Sequence, residues 1–221
     1  MDNDGFRVVA SVFSRAGMNG IAQEITESSA RRSRAGIRQA LRLAAVARIA
    51  GDRALTDLAR SVLGPKAFPF RATLFDKSAT TNWLVVWHQD TALPLCRRIE
   101  CPGWGPWSVK AGIACAHAPA GTLSQVLALR VHLDDSAAGN GPLRVLPGTH
   151  TLGVLSDGAI HDLTQEISPV DCVCPKGGVV AMRPLIVHAS SKSQTDAPRR
   201  VLHVEYAASE SIAAPLRLAT A

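Results

Sequence analysis

From about Met18 to Leu63, apolar residues recur three and four apart, as in Ile37, Leu41, Ala44 and Ala45, and then Leu55, Leu58, Ala59 and Val62. That spacing is helical, the stretch contains no proline, and Gly64-Pro65 marks its end. After Phe68 the texture changes to short apolar runs punctuated by Gly, Pro, Asn and Asp. Strands are expected at 71–75, 83–87, 126–133, 143–146, 178–182, 185–188 and 200–206. Helices followed by many short strands predict an α+β chain, a jelly-roll, cupin-like core with N-terminal helices packed outside it. The expected division is one domain over 1–221, mainly helical over 1–65 and jelly-roll over 66–210.

Composition narrows the classes. With 221 residues, 47% hydrophobic and 19% charged, the chain is long enough for a core of its own and too apolar for disorder. No apolar run approaches the ~18–20 residues of a membrane span. The opening Met1-Asp2-Asn3-Asp4 lacks the basic-then-apolar order of a secretory leader, so a cytoplasmic protein is expected. Five cysteines make an odd number. Cys172 and Cys174 find no second close pair in Cys96, Cys101 and Cys115, so reduced thiols are expected and not a zinc site. The net charge of +6 gathers in Arg31, Arg32, Arg34, Arg38, Arg42, Arg48, Arg53 and Arg60, against Asp52 and Asp57. That stretch has no aromatic residue for stacking on bases, which argues against nucleic acid as a partner. A solvated helix face explains it simply, and an anionic or carrier-bound small-molecule substrate is the sharper alternative. The oligomeric state is left open.

The chemistry lies in the histidines. Two histidines and a carboxylate on one face of an iron ion leave its other positions open, and a His-x-Asp step on a strand supplies two ligands on one side. Two such steps occur, His88-Gln89-Asp90 and His132-Leu133-Asp134. Asp134 is followed by Asp135 and a loop with Gly139, Asn140 and Gly141, the setting of a turn-capping aspartate, whereas His88 ends an apolar strand. Downstream, His188 is followed by Ser190 and by Arg199. A dicarboxylate such as 2-oxoglutarate chelates iron at one end and needs a fixed cation at the other, a role suited to a guanidinium fork with a hydroxyl beside it.

At these residues the chain resembles the phytanoyl-CoA dioxygenase family of iron(II)/2-oxoglutarate oxygenases. The resemblance runs through Asp4-Gly5-Phe6-Arg7-Val8-Val9, Phe75-Asp76-Lys77 and Trp87-His88-Gln89-Asp90. It continues in the loop from Gly141-Pro142-Leu143 to Gly148-Thr149-His150, then in Arg183-Pro184-Leu185-Ile186-Val187-His188-Ala189-Ser190 and Pro198-Arg199-Arg200. It implies a double-stranded β-helix core and a metal held by His88, Asp90 and His188. Iron(II), 2-oxoglutarate and O2 are the implied cofactor and cosubstrates, and the implied reaction is hydroxylation with release of succinate and CO2. Arg199 and Ser190 would bind the cosubstrate. Halogenating relatives lack the carboxylate ligand, and Asp90 argues against that activity. The rival readings are a metal-binding jelly roll without turnover, in a sensor or binding role, and a basic nucleic-acid-binding module.

Other residues carry softer expectations. Lys77 is either a surface lysine or the partner of a cosubstrate or substrate carboxylate. Gln89 points away from the metal by strand alternation, Trp83 and Trp87 are read as core, and Asn82 as a turn residue or a cosubstrate contact. Arg130 and His132 share a strand face read as facing a polar barrel interior. One conflict stands: Leu202, Val204 and Tyr206 look like the core side of their strand, which would turn Arg200 inward, whereas the family spacing selects Arg199.

Overall fold

The expected helical stretch resolves into three helices separated by strand and turn. The computed structural model describes residues 1, 3–33, 36–78 and 81–220; Asp2 of the opening tetrad and Arg34 of the basic stretch lie outside them. After β1 (Phe6–Val9), helix α1 (Arg15–Glu27) starts where Ser14 Oγ accepts the Gly17 N–H at 3.1 Å, and it buries Met18, Ile21, Ala22 and Ile25 along one face. Ile37 belongs not to a helix but to the short strand β2 (Gly36–Ile37), and α2 (Ala44–Ala50) begins seven residues later. Helix α3 (Arg53–Leu63) is capped by Asp52, whose side chain accepts the Ala54 N–H at 2.8 Å. It ends as expected at Gly64, which takes φ +93° and donates to Arg60 O.

The strands form three antiparallel sheets. The largest has the order β1-β11-β8-β13-β3-β2 and contains β3 (Phe68–Lys77), β8 (Val126–His132), β11 (Val179–Met182) and β13 (Arg199–Ala207). Two of its strands thus come from the N-terminal segment expected to be mainly helical. A four-stranded sheet, β10-β9-β12-β4, joins β4 (Val85–His88), β9 (Leu143–Val145), β10 (Val170–Cys172) and β12 (His188–Ser190). A three-stranded flap, β5-β7-β6, comprises β5 (Ala92–Leu95), β6 (Trp107–Lys110) and β7 (Ile113–His117). The flap lies between the strands expected at 83–87 and 126–133, where none was expected, and its polar or proline-bearing strands hid it from the alternation pattern. The strand expected over 185–188 starts only at His188. Short helices at Ala120–Leu123 (α4) and Asp157–Glu166 (α5) complete the elements used below.

The largest sheet is buried on both faces. One face places Ala72, Leu74, Leu129, Val131, Leu202, Val204 and Tyr206 in one apolar cluster with Ile21, Ile25, Val46, Ile49 and Leu55 of the helices. The Tyr206 hydroxyl is satisfied there by Ala50 O at 2.7 Å. Each such aliphatic side chain, taken fully from water, contributes about 1.5–3 kcal/mol. On the other face, Ala128, Val180 and Met182 meet Leu143, Val145 and Cys172 of the four-stranded sheet, with Ile186 in the same cluster. This is the double-walled jelly-roll arrangement expected from the sequence, and it settles the Arg199 conflict. The apolar side of β13 faces the helices, so Arg199, His203 and Glu205 face the interior between the sheets. The expected apolar pattern was right, but the core it pointed to lies outside the barrel.

Candidate metal centre and carboxylate pocket

Strands β4 and β12 are antiparallel neighbours, with His88 directly opposite His188. Their ring centroids are 4.2 Å apart at an interplanar angle of 49°. Asp90 lies just beyond β4, anchored where its N–H donates to Pro184 O at 2.9 Å. Its Oδ1 is 3.8 Å from His88 Nε2, and its Oδ2 is 3.5 Å from His188 Nε2. The three ligand atoms lie within 4.8 Å of one another, a spacing that one metal ion can bridge.

Both histidines are oriented by their own backbone. His88 Nδ1 lies 2.8 Å from Val86 O, and His188 Nδ1 lies 2.9 Å from Ile186 O. A carbonyl can only accept, so each Nδ1 carries the proton and each Nε2 lone pair is left for a metal. Burial pushes His188 down to about 4, with Asp90 opposing only in part, so the ring is neutral at neutral pH. Burial also raises the Asp90 carboxyl, but His188, His203, His88 and Arg71 together outweigh it and hold Asp90 below the usual carboxylate range.

A second polar group is built around Ser190, two residues after His188. Lys77 and Arg199, register partners on β3 and β13, are 1% and 3% exposed. Lys77 Nζ donates to Ser190 Oγ at 3.0 Å and to Ser191 O at 2.6 Å. Arg199 donates through Nε to Asn140 O and through Nη2 to Ser190 Oγ, both at 3.2 Å. Ser190 Oγ donates in turn to Gly141 O at 2.8 Å. Gly141 takes φ +69°, and a Cβ there would stand 2.3 Å from Ser191 O, so glycine is required for this close approach. Among the described residues, neither Lys77 nor Arg199 pairs with a carboxylate, and Arg199 Nη1 is buried without a partner. Burial, reinforced by Arg199 and Arg130, pushes Lys77 down to about 8, and burial with Arg130 pushes Arg199 down to about 9. Two adjacent buried cations facing no acid make a pocket complementary to an anion.

One cavity of about 390 Å³ is lined by the histidine–aspartate group together with Ser190, Arg199, Phe75, Trp83 and Leu143 among others. Lys77 is therefore an interior residue and not a surface lysine. Trp83, expected in the core, lines the cavity and lies with its ring centroid 5.3 Å from Lys77 Nζ, whereas Trp87 packs beside Leu146, Ile160 and Val187 as expected. Gln89 clamps three backbone groups, those of Gly153, Leu155 and Leu185. Asn82 bridges to Ser193 through both amide atoms, which makes it a loop staple. The basic stretch is mostly a solvated face, with Arg32, Arg48 and Arg53 paired to Asp76, Glu24 and Asp57; Arg38 alone among its described arginines borders the cavity.

The second His-x-Asp step diverges. His132 points inward, buried, with no hydrogen-bond partner on either ring nitrogen among the described residues. Asp134 accepts from Arg200 three times, from its backbone N at 2.9 Å and from Nε and Nη2 at 2.8 Å. Sequence reasoning did not place Arg71 in the cavity, where it grips Glu205 through Nε and Nη2. Its signal was an arginine inside an apolar strand opposite an inward glutamate. Lys110 and His117 also line the cavity from the flap, and no sequence pattern pointed to them.

Comparison with known proteins agrees with this geometry. L-proline trans-4-hydroxylase from Streptomyces griseoviridis is 26% identical, covering 72% of this chain, which spans only 62% of that protein's length. A structure of EctD from S. alaskensis with 2-oxoglutarate and 5-hydroxyectoine superposes with a TM-score of 0.69 at 20% identity, over 93% of this chain and 73% of that one. AviO1 from Streptomyces viridochromogenes Tue57 superposes with a TM-score of 0.65 at 20% identity, over 93% and 90%. At such identities the structural likeness speaks to the fold. The family model described as phytanoyl-CoA dioxygenase (PhyH) matches residues 1–201, a span that includes β1, the candidate metal-centre residues and Arg199, and the chain belongs to that family.

Proposed function

We propose that this protein is an iron(II)- and 2-oxoglutarate-dependent dioxygenase that hydroxylates a small-molecule substrate and releases succinate and CO2. His88, Asp90 and His188 would hold the iron. Arg199 and Ser190, with Lys77 beside them, would hold the far carboxylate of 2-oxoglutarate. One observation carries the reading: a ligand-ready His/Asp/His group and the buried Arg199–Ser190 pair line one cavity, with Lys77 bonded to Ser190 and neither cation matched by a carboxylate among the described residues. A molecule with a metal-chelating end and a distal carboxylate satisfies both groups at once. The L-proline hydroxylase relative and the EctD neighbour that binds 2-oxoglutarate support it.

The donor set fits the metal, since two neutral imidazole Nε2 atoms and one ionised carboxylate are the ligands that iron(II) takes in such enzymes. Iron, when bound, supplies the oxygen chemistry, splitting O2 between succinate and the hydroxylated product. The chain's own task is to fix the imidazole tautomers through Val86 and Ile186, keep Asp90 ionised and neutralise the far carboxylate. The segment 1–65 and the jelly-roll core would work as one domain, in the cytoplasm. Among the described residues, no helix is long and apolar enough to cross a membrane.

The test is oxygen-dependent succinate formation from 2-oxoglutarate by the protein reconstituted with iron(II), which proceeds slowly in such enzymes even without the prime substrate. Iron binding without any succinate would leave a metal-binding jelly roll in its place.

A further inference from the structure

The cavity contains one more cation than the proposed cosubstrate pocket uses. Arg130 projects from β8 into the space between the sheets, 6% exposed, with His203 and Val180 as its register partners. It has no carboxylate partner among the described residues. Its Nη1 donates to His203 Nδ1 at 3.1 Å, its Nε is buried with no partner, and its Cζ lies 5.5 Å from the Phe75 ring centroid.

The acids nearby are already engaged. Glu205 is gripped by Arg71, and Asp90 belongs to the metal centre. The hydrogen bond to His203 also fixes a tautomer. A guanidinium only donates, so Nδ1 accepts and the proton sits on Nε2, 3.8 Å from Glu205 Oε2. Arg130, His203, Glu205 and Arg71 therefore form a row across one wall, with Arg130 the member whose charge is unanswered. Burial, only partly opposed by Asp90 and Cys172, holds its basicity below the ordinary arginine value. Arg130 lines the same cavity as His188, Ser190 and Arg199.

We infer that Arg130, steadied by His203 and Phe75, is a second carboxylate-binding residue of the cavity, separate from the Arg199–Ser190–Lys77 pocket. The carboxylate would come from one of two sources, the metal-proximal end of 2-oxoglutarate or the substrate itself. Either would answer the charge and the unpartnered Nε, and the planar fork of a guanidinium matches the two oxygens of a carboxylate. This inference rests on the proposed function, and its test separates the two.

Arg130→Gln and Arg130→Lys would be prepared with the parent protein, each loaded with iron(II) under argon and checked for a cooperative unfolding transition. Binding of 2-oxoglutarate, and then of propionate to the 2-oxoglutarate-saturated protein, would be followed by calorimetry and by tryptophan fluorescence, which Trp83 makes sensitive to the cavity. Arg199→Gln serves as the control for the distal pocket.

If the cosubstrate supplies the carboxylate, Arg130→Gln weakens 2-oxoglutarate binding at least about tenfold, the size expected when one partner of a buried charged pair is lost. It then weakens 2-oxopentanoate, which lacks the distal carboxylate, by a similar factor. If the substrate supplies it, 2-oxoglutarate binding is unchanged and propionate binding falls at least about tenfold. Arg130→Lys keeps the charge without the fork and falls in between, and it carries the test if the glutamine variant does not fold. Unchanged binding of both probes in the variants overturns the inference. If Arg199→Gln meanwhile abolishes tight 2-oxoglutarate binding, the proposed function survives that result. A parent protein that binds neither probe overturns both.

Discussion

Replacing Arg199 by glutamine should separate affinity from stability. In the ligand-free protein the guanidinium makes two long hydrogen bonds of 3.2 Å, leaves Nη1 unpartnered, and lies beside Lys77 and within the field of Arg130. Burial, with Arg130 nearby, pushes its basicity well below the ordinary arginine value, to about 9, so the charged form costs several kcal/mol to bury. Glutamine removes that cost and can keep one hydrogen bond. The unfolding free energy of the ligand-free protein should stay constant or rise by about 1–3 kcal/mol. The same change removes the cation proposed for the far carboxylate of 2-oxoglutarate, a loss of ~2–5 kcal/mol, or roughly 30- to several-thousand-fold in Kd. Arg200→Ala should do the reverse. It loses two charged hydrogen bonds to Asp134 outside the cavity, costing about 1–3 kcal/mol of stability and leaving 2-oxoglutarate affinity nearly unchanged. Urea unfolding and calorimetric titration measure the two quantities on the same samples. An Arg199→Gln protein that is destabilised yet binds normally, or an Arg200→Ala protein that loses affinity, would refute the reasoning.

Further outcomes follow from the same geometry. His88→Ala and Asp90→Ala should lose stoichiometric iron and oxygen-dependent succinate formation, whereas Asp134→Asn should keep both and lose about 1–2 kcal/mol of stability through its weakened bonds to Arg200; metal analysis and unfolding curves check this. Lys77 should confer a pH dependence. Its folded-state value of about 8 lies below the ordinary 10.5, so the cost of burying its charge is full below about 8. Above that the unfolded chain holds more protons, and ligand-free stability rises with pH up to about 10.5. Over the same range 2-oxoglutarate binding should weaken as the cation is lost, and Lys77→Met should remove the part of both trends that sets in near 8, leaving only the share of Arg199 above about 9. Adding iron(II) and 2-oxoglutarate anaerobically at about a hundred times their Kd should raise stability by ~2.7 kcal/mol for each independent site, and chelation should reverse the metal's share.

Much of the site was legible because its chemistry is carried by short spacings. His88-x-Asp90 at the end of an apolar strand, and His188 with Ser190 and Arg199 after it, need only strand alternation to converge. The rival His132-Leu133-Asp134 has the same spacing, but Asp134 does not cap the following turn as expected: it is bonded to Arg200, sixty-six residues away, and Asn140 ties the turn instead. What stayed hidden depended on long-range pairing. The helical period over Ile37 and Leu41 was overridden by the pairing of Gly36 and Ile37 with Phe75 and Leu74. The flap strands carry Pro94, Lys110 and His117, a composition that resembles loop until antiparallel partners supply the hydrogen bonds. Leu202, Val204 and Tyr206 identified a buried face correctly but could not say whether helices or a second sheet lay against it.

Strand β13 has consequences for how the protein tolerates change. From Val201 to Ala207 every residue is buried, with alternate side chains committed to the helices and to the cavity. The strand is a party wall between two rooms. A substitution at Leu202 or Val204, far from any ligand, moves the backbone on which Arg199 and His203 are hung, so loss of activity there would reflect displacement and not lost chemistry. The flap shares no such wall. Lys110 and His117 reach the cavity from a separately hydrogen-bonded three-stranded sheet that packs on Phe70, Val126 and Ala207, so changes to these two side chains would reshape the cavity while the proposed iron ligands stay where they are.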